Sequence, residues 1–241
     1  MPKHIYTTVE AVLHGLADYL VAQADTAIAA RGRFAIALSG GSSPKKLYEL
    51  LASEAYREKV AWEQVFFFFG DERDVPPTDP ESNFRMAKTA LLDPLRIPPA
   101  HVFAVNTLLP PTEAAQAYTT AITDFFSPAE ARFDLVLLGL GDNSHTASLF
   151  PHTAVLHVAT AGAQAVFVEE KQLYRITLTA PLINQAHAVA FLVFGADKAA
   201  AVQSVMHGEQ DIEEYPAQLI APNEGELHWF LDEAAAGNLN D

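Results

Sequence analysis

The sequence predicts an α/β protein built on a mostly parallel, open sheet flanked by helices. Three observations carry this reading. Apolar runs of strand length alternate with amphipathic stretches of helix length along the whole chain. Four of the strand-like runs end in unusual polar loops, as strands do where a parallel sheet binds a ligand. Half of the 241 residues are hydrophobic, enough for a sizeable core, and the length suits one domain over 1–241 or a large domain with a small extra lobe.

Residues 9–30 read as an opening helix with Val12, Leu16, Tyr19 and Leu20 on one face. RFAIAL (33–38) is a short buried strand that runs into SGGSSP and then a helix from Pro44 to about Ala52. Residues 64–69 form a second strand, ending in GDER. A helix over 81–92 follows a proline-rich loop, 102–105 is a further strand, and 112–126 a helix. FDLVLL (133–138) is a strong strand entering GLGDNSH. Strands follow at 166–169, 175–178 and 187–194, the last leading through GADK into a helix over 196–206. The tail LHWFLDEAAA adds a final strand and turn.

Composition narrows the function. The formal net charge is −15, so nucleic acid is a poor partner for the bulk surface. An anionic substrate needs a local group of cations, and with only 15 Lys and Arg, each one beside a glycine-rich loop counts. No apolar run reaches the length of a membrane span, and the N-terminus lacks the pattern of a signal peptide. There is no cysteine, hence no disulfide framework or thiol chemistry. The expectation is a cytoplasmic enzyme, monomeric or a small homo-oligomer, with no membrane or nucleic-acid partner.

If the strands are parallel, all four polar loops share one edge of the sheet. In Ser39-Gly40-Gly41-Ser42-Ser43-Pro44 the glycines allow close backbone approach, with Ser43 as N-cap and Pro44 as first helical residue. The free N–H groups and serine hydroxyls there suit a phosphate, although a plain strand-to-helix turn reads equally well. In Gly70-Asp71-Glu72-Arg73, Arg73 can grip a phosphate bidentately, and Asp71 and Glu72 can orient hydroxyls. Alone, that loop reads as a solvated charged turn. A metal is not expected there, since no second acidic cluster stands at another strand end.

Gly139-Leu140-Gly141-Asp142-Asn143-Ser144-His145 places a histidine after a buried strand and a glycine turn, where it can face a cleft as a general base. Lys198 in GADK and Arg175 at the start of RITLT are cations that can reach a phosphate. A Ser-His-Asp triad is disfavoured for Ser144 and Ser148 because no G-x-S-x-G elbow is present. No H-E-x-x-H or similar metal-ligand set appears.

The ordered set LSGGSSP (38–44), FFFGDERDVPPTDPESNF (67–84), GLGDNSHTASLFP (139–151), RITLTAPLI (175–183), FLVFGADKAAAV (191–202) and WFLDEAAA (229–236) resembles the 6-phosphogluconolactonases. The resemblance implies a Rossmann-like fold shared with glucosamine-6-phosphate deaminases and related sugar isomerases. It also implies hydrolysis of 6-phospho-D-glucono-1,5-lactone, in the oxidative pentose phosphate pathway, with no metal or organic cofactor. Carried over, His145 is the base; Asn143, where the family has Asp, and Asp71 complete the expected catalytic set. Gly40, Gly41, Ser42, Ser43, Arg73, Lys198 and Arg175 form the phosphate side.

This chain departs from the family at the histidine loop, where Asp-Gly-His is replaced by Asn143-Ser144-His145. Asn143 can hydrogen-bond but cannot carry negative charge or accept a proton. Asp142 is the other candidate for that place. Ser144 replaces a glycine and is mildly strained if the turn needs a positive φ. The expected chemistry is attack by a water that His145 deprotonates, with Asn143 or a backbone N–H stabilising the oxyanion. A deaminase is disfavoured because Phe150 stands where those enzymes carry Glu. A non-catalytic phosphosugar-binding regulatory module is disfavoured because His145 is retained.

Overall fold

The structure is a computed structural model that describes residues 1–239. Its elements, in chain order, are β1 (Lys3–Tyr6), α1 (Val9–Arg31), β2 (Phe34–Leu38), α2 (Ser42–Leu51), β3 (Val65–Phe69), β4 (Asp71–Arg73), α3 (Asn83–Ala87), α4 (Pro111–Phe126), β5 (Leu135–Leu138), β6 (Ala163–Val168), β7 (Leu173–Leu178), α5 (Ala180–Asn184), β8 (Ala188–Val193), α6 (Ala199–His207) and β9 (Glu226–Asp232).

The main sheet has six strands in the order β1-β9-β8-β5-β2-β3, and every neighbouring pair is parallel. The expected α/β class is therefore observed. Strands covered on both faces must be apolar throughout, and β2, β5 and β8 are buried at every position. Their side chains sort by period two into two cores. Ile36, Leu38, Phe67, Phe69, Leu135, Leu137 and Leu192 meet α1 and α2 on one face. Ala37, Phe68, Val136, Leu138, Phe191 and Trp229 meet α4, α6 and a second sheet on the other.

α1 is fixed at both ends. The Thr8 side chain accepts from the Ala11 amide, and Gly32, at φ 72°, closes the helix by donating to the Ile28 carbonyl. Its buried stripe includes Val12, Leu16 and Leu20, while Tyr19 is only half-buried.

A second sheet of three strands is antiparallel in the order β4-β7-β6. It corrects one expectation, because Asp71–Arg73 is a strand and not a solvated turn. Asp71 and Glu72 are buried, and Asp71, Glu72 and Arg73 pair with Thr177, Ile176 and Arg175. Three charged residues show no apolar alternation, so only pairing with a segment about a hundred residues later makes them a strand.

Four further differences are local. Residues 102–105 form no strand; Val102 makes a single bridge to Phe67, although Phe103 stacks on Phe68 with centroids 4.5 Å apart. The helix over 81–92 begins at Asn83 under a Ser82 cap and widens after Ala87, where Asp93 N–H bonds Lys88 C=O and Ile97 N–H bonds Leu92 C=O. The helix over 196–206 opens with a tight turn, Ala196–Lys198, before α6. β1 is an edge strand that pairs, among the described residues, with β9 alone.

Parallel β2 connects to β3 on one side, while β5 lies on its other side. The sheet therefore reverses direction of growth between β2 and β5, where a crevice opens beyond the carboxyl ends. All four polar loops begin at that edge, as the sequence reading required. No helix is long and apolar enough to cross a membrane among the described residues.

Candidate active site

A cavity of about 350 Å³ occupies that crevice. Residues 39–44, Asp71, Arg73, Gly139–Gly141, His145–Ala147, Phe150, Lys171, Arg175, Leu192–Phe194 and Lys198 line it. Of the residues considered for the site, Asn143, Glu72 and Asp142 do not line the cavity.

The first loop departs from the expected cap. α2 begins at Ser42, two residues earlier than expected, and its N-cap is Gly41 at φ 105°, a conformation that side chains disfavour. No side chain caps this end. Pro44 is tolerated as the third helical residue, because N–H groups of the first turn have no intrahelical partner to lose. The outcome favours anion binding. Ser42 and Ser43 keep their hydroxyls uncommitted to a cap, and their amides open at the positive end of a ten-residue helix.

Antiparallel pairing sets Arg73 directly opposite Arg175. Arg73 Nη1 donates to the Glu81 carbonyl at 2.5 Å, and Nε of each arginine is buried without a hydrogen-bond partner. Burial pushes the Arg175 guanidinium down from its ordinary value; Asp71 opposes this and Arg73 adds to it. Two adjacent, incompletely satisfied guanidinium groups in a cavity are a strong anion trap. They stand in a chain of net charge −15. Lys198, at the rim, forms an ion pair with Asp142. Lys171, on the turn between β6 and β7, adds a fourth cation that sequence reading missed. In VEEKQLYR it looks like any charged hairpin tip.

Glu72 is not a ligand for substrate hydroxyls. It accepts from the amides of Arg73, Asn83 and Phe84 and from the Ser82 hydroxyl, so it anchors the start of α3. Burial raises its pKa, while those amides counter the rise. Asp71 faces the cavity and accepts from Ser148 Oγ at 2.6 Å and Asn83 Nδ2 at 3.2 Å. Ser148 is thereby committed to Asp71. His145 Nδ1 is committed to Asn143, so no serine is coupled to the imidazole.

The histidine loop is tightly built. Gly141 N–H bonds the His145 carbonyl at 2.8 Å, Ser144 N–H bonds the Gly141 carbonyl at 3.0 Å, and Thr146 Oγ1 donates to the Gly139 carbonyl at 2.8 Å. A Cβ on Gly141 would lie 2.0 Å from His145 Nδ1, so only glycine lets the ring lie there. The question of Asp142 against Asn143 is resolved by contacts: Asp142 turns to Lys198, and Asn143 turns to His145.

Asn143 also determines the tautomer. The His145 backbone N–H donates to the Asn143 amide at 3.3 Å, so the accepting atom there must be oxygen. The same oxygen lies 2.5 Å from Nδ1. Nδ1 therefore carries the proton, and Nε2 keeps its lone pair, as a base requires. The imidazole stacks on Phe150 with centroids 4.0 Å apart and planes 16° apart. Burial lowers its pKa to about 4; Asp71 opposes this, and Arg175, Lys198 and Lys171 reinforce it. His145 is thus neutral at neutral pH.

Ser144, with φ 61°, takes the left-handed conformation anticipated for a position where glycine is usual; Ala147 and His152 share it at 47° and 58°. Replacing Ser144 by glycine removes that strain and is expected to stabilise the protein by about 0.5–1 kcal/mol, after the entropy cost of glycine. A denaturation midpoint checks this; an unchanged or lowered midpoint would show that the serine side chain outweighs the strain.

A family described as glucosamine-6-phosphate isomerases/6-phosphogluconolactonase matches residues 7–229. The chain belongs to the 6-phosphogluconolactonase family. It is 46% identical over 218 residues to a 6-phosphogluconolactonase of Synechocystis, covering 88% of each chain. It is 45% identical over 228 residues to one of Nostoc, covering 92% of each. The solved structure of a devB protein superposes with a TM-score of 0.89 at 32% identity over 99% of both chains.

Proposed function

We propose that this chain hydrolyses 6-phospho-D-glucono-1,5-lactone to 6-phosphogluconate in the oxidative pentose phosphate pathway, with His145 activating the water. The observation that carries the reading is the His145 imidazole, its Nδ1 proton held by Asn143, in a cavity lined by Arg73, Lys171, Arg175 and Lys198. The phosphate sits against the Ser42 and Ser43 amides, the paired arginines and the rim lysines. That remote binding orients the lactone carbonyl toward His145.

Nε2 then takes a proton from water as the water oxygen bonds the carbonyl carbon. The tetrahedral intermediate collapses, the C–O bond to the ring oxygen breaks, and the imidazolium returns its proton to that oxygen. The product acid ionises. Asn143 Oδ1 is occupied behind the imidazole, so Asn143 acts on tautomer and orientation rather than as an oxyanion donor. Asp71 supports the transient imidazolium electrostatically. The remaining cations must be neutralised by the bound phosphate for His145 to become a stronger base, so binding and basicity are coupled.

No step of this reading calls on a metal, a cofactor or a second copy of the chain. Phosphosugars carry charges that keep them inside cells, so the proposed setting is cytoplasmic.

The test is the pH dependence of kcat/KM on freshly generated lactone, corrected for spontaneous hydrolysis. A base whose pKa is lowered stays competent until pH falls through the lowered value. The acid limb should therefore lie near pH 4, where the free-enzyme histidine titrates, rather than near 6.5. Asn143→Asp should move that limb to higher pH, because a carboxylate on Nδ1–H stabilises the imidazolium. An acid limb at 6.5 that does not respond to N143D would remove His145 as the base. Ammonia release from glucosamine 6-phosphate would instead favour a deaminase.

A further inference from the structure

We propose that Tyr48 and Tyr118 are positioning residues that hold the two strand ends feeding the site in a preformed, anion-ready geometry. A parallel sheet must splay at its carboxyl edge to open a crevice, and splaying strips main-chain groups of their ladder partners. Pairing of β2 with β3 ends at Leu38 and Phe69, and pairing of β2 with β5 ends at Ala37. Ser39, the next residue, is buried, so its N–H and C=O need replacement partners.

One hydroxyl supplies both. Tyr48 Oη accepts from the Ser39 amide at 2.9 Å and donates to the Ser39 carbonyl at 2.8 Å. The same arrangement recurs on β3, the edge strand. Tyr118 Oη accepts from the Phe69 amide at 2.7 Å and donates to the Phe69 carbonyl at 3.0 Å. Both tyrosines are buried, Tyr48 completely. A hydroxyl that donates and accepts imitates the pair of groups a neighbouring strand would offer.

The placement makes this more than packing. Tyr48 belongs to α2, and it reaches back to the residue just before the Gly40-Gly41-Ser42-Ser43 loop. The loop is closed into a ring from Ser39 to Tyr48, which fixes the amides at the start of α2 relative to the strand. Tyr118 belongs to α4 and holds Phe69, two residues before Asp71 and four before Arg73. Both sides of the proposed phosphate grip are thus anchored by one phenol each. An ordered loop loses less freedom on binding.

The inference rests on the lactonase reading for its activity readout, and inorganic phosphate supplies one that does not. Tyr48→Phe strands the Ser39 groups and is expected to raise both the KM for the phosphorylated lactone and the inhibition constant for inorganic phosphate by about tenfold. The fall in kcat should be far smaller than the rise in KM, and turnover of unphosphorylated glucono-1,5-lactone should keep its wild-type efficiency. A variant that melts at lower temperature with both constants unchanged overturns the proposal. If Y48F does not fold, Tyr118→Phe is read in the same way. Amide exchange on the ligand-free wild-type protein is independent of any variant: the Ser39 and Phe69 amides should be protected like strand interiors, and fast exchange at either refutes a preformed geometry. Wild-type protein that neither hydrolyses the lactone nor binds phosphate refutes the site reading itself.

Discussion

Replacing His145 by alanine is expected to lower kcat by about a hundred- to ten-thousand-fold, the usual worth of a positioned general base. The geometry says why the loss is concentrated in kcat. His145 contributes a lone pair at Nε2 and little to the cationic surface that grips the phosphate. KM should therefore stay within a few-fold of wild type, as expected for an interaction made only in the transition state. The measurement is steady-state hydrolysis of fresh lactone beside a matched uncatalysed control. Near wild-type kcat in the alanine variant would sink the mechanism. The fold should survive, because the ring lines the cavity and stacks on Phe150, a core residue that the substitution leaves in place. The lowered pKa also adds a stability signature. Between about pH 4 and 6.5 the unfolded histidine binds a proton that the folded one does not. Its contribution is therefore complete above 6.5 and lost as pH falls toward 4, and the H145A variant should lack that segment of acid sensitivity.

Arg175→Met should raise KM for the phosphorylated lactone by about a hundredfold while kcat changes little, because losing a buried charged contact to the ligand costs about 2–5 kcal/mol. Methionine keeps most of the packing of the arginine stem. Stability should not fall. Arg175 faces Arg73 across the β4–β7 pair, and like charges directly opposite on neighbouring strands repel. A structural arginine would lower the melting temperature on removal, whereas a ligand-binding one leaves or raises it. Glucono-1,5-lactone, which has no phosphate, should be hydrolysed equally by both proteins. An unchanged KM would take Arg175 out of the phosphate grip. Removal also lifts one of the cations that lower the His145 pKa, so the acid limb should rise slightly in this variant.

The coupling between these two residues follows from the field in the cavity. Arg175, Lys198 and Lys171 make His145 a poor base in the empty site, while Asp71 opposes them. A phosphate dianion among those cations cancels part of their effect. On the proposed mechanism the base is weakest when nothing is bound and is strengthened by the substrate's own charge.

Much of this was legible in the chain. The strand runs were readable because buried parallel strands are apolar at every position, and FAIAL, VFFFF, LVLL and AVAFLV leave little choice. The polar loops at their ends were readable because parallel strands place all such loops on one edge. His145, Ser42, Ser43, Arg73, Arg175 and Lys198 could be named from those loops. What escaped was whatever depends on distant pairing. Asp71–Arg73 looked like a solvated turn because its strand character comes from β7. Lys171 sits in a run of charges, VEEKQLYR, and Tyr48 and Tyr118 lie within helices, where nothing local marks the strand end that each one holds.

The sequence by itself determined the α/β class, the shared edge of the loops and the histidine at their centre, since these follow from local periodicity and turn chemistry. It also determined that position 143 carries no charge. Only the tertiary structure decided what that means. It put the Asn143 oxygen on Nδ1 and gave Asp142 to Lys198, two neighbouring side chains on one loop pointing to different partners. It set Arg73 against Arg175, turning two weak cationic signals into one anion trap. Side-chain direction and cross-strand register are set by contacts between segments far apart in the chain, and no local pattern encodes them.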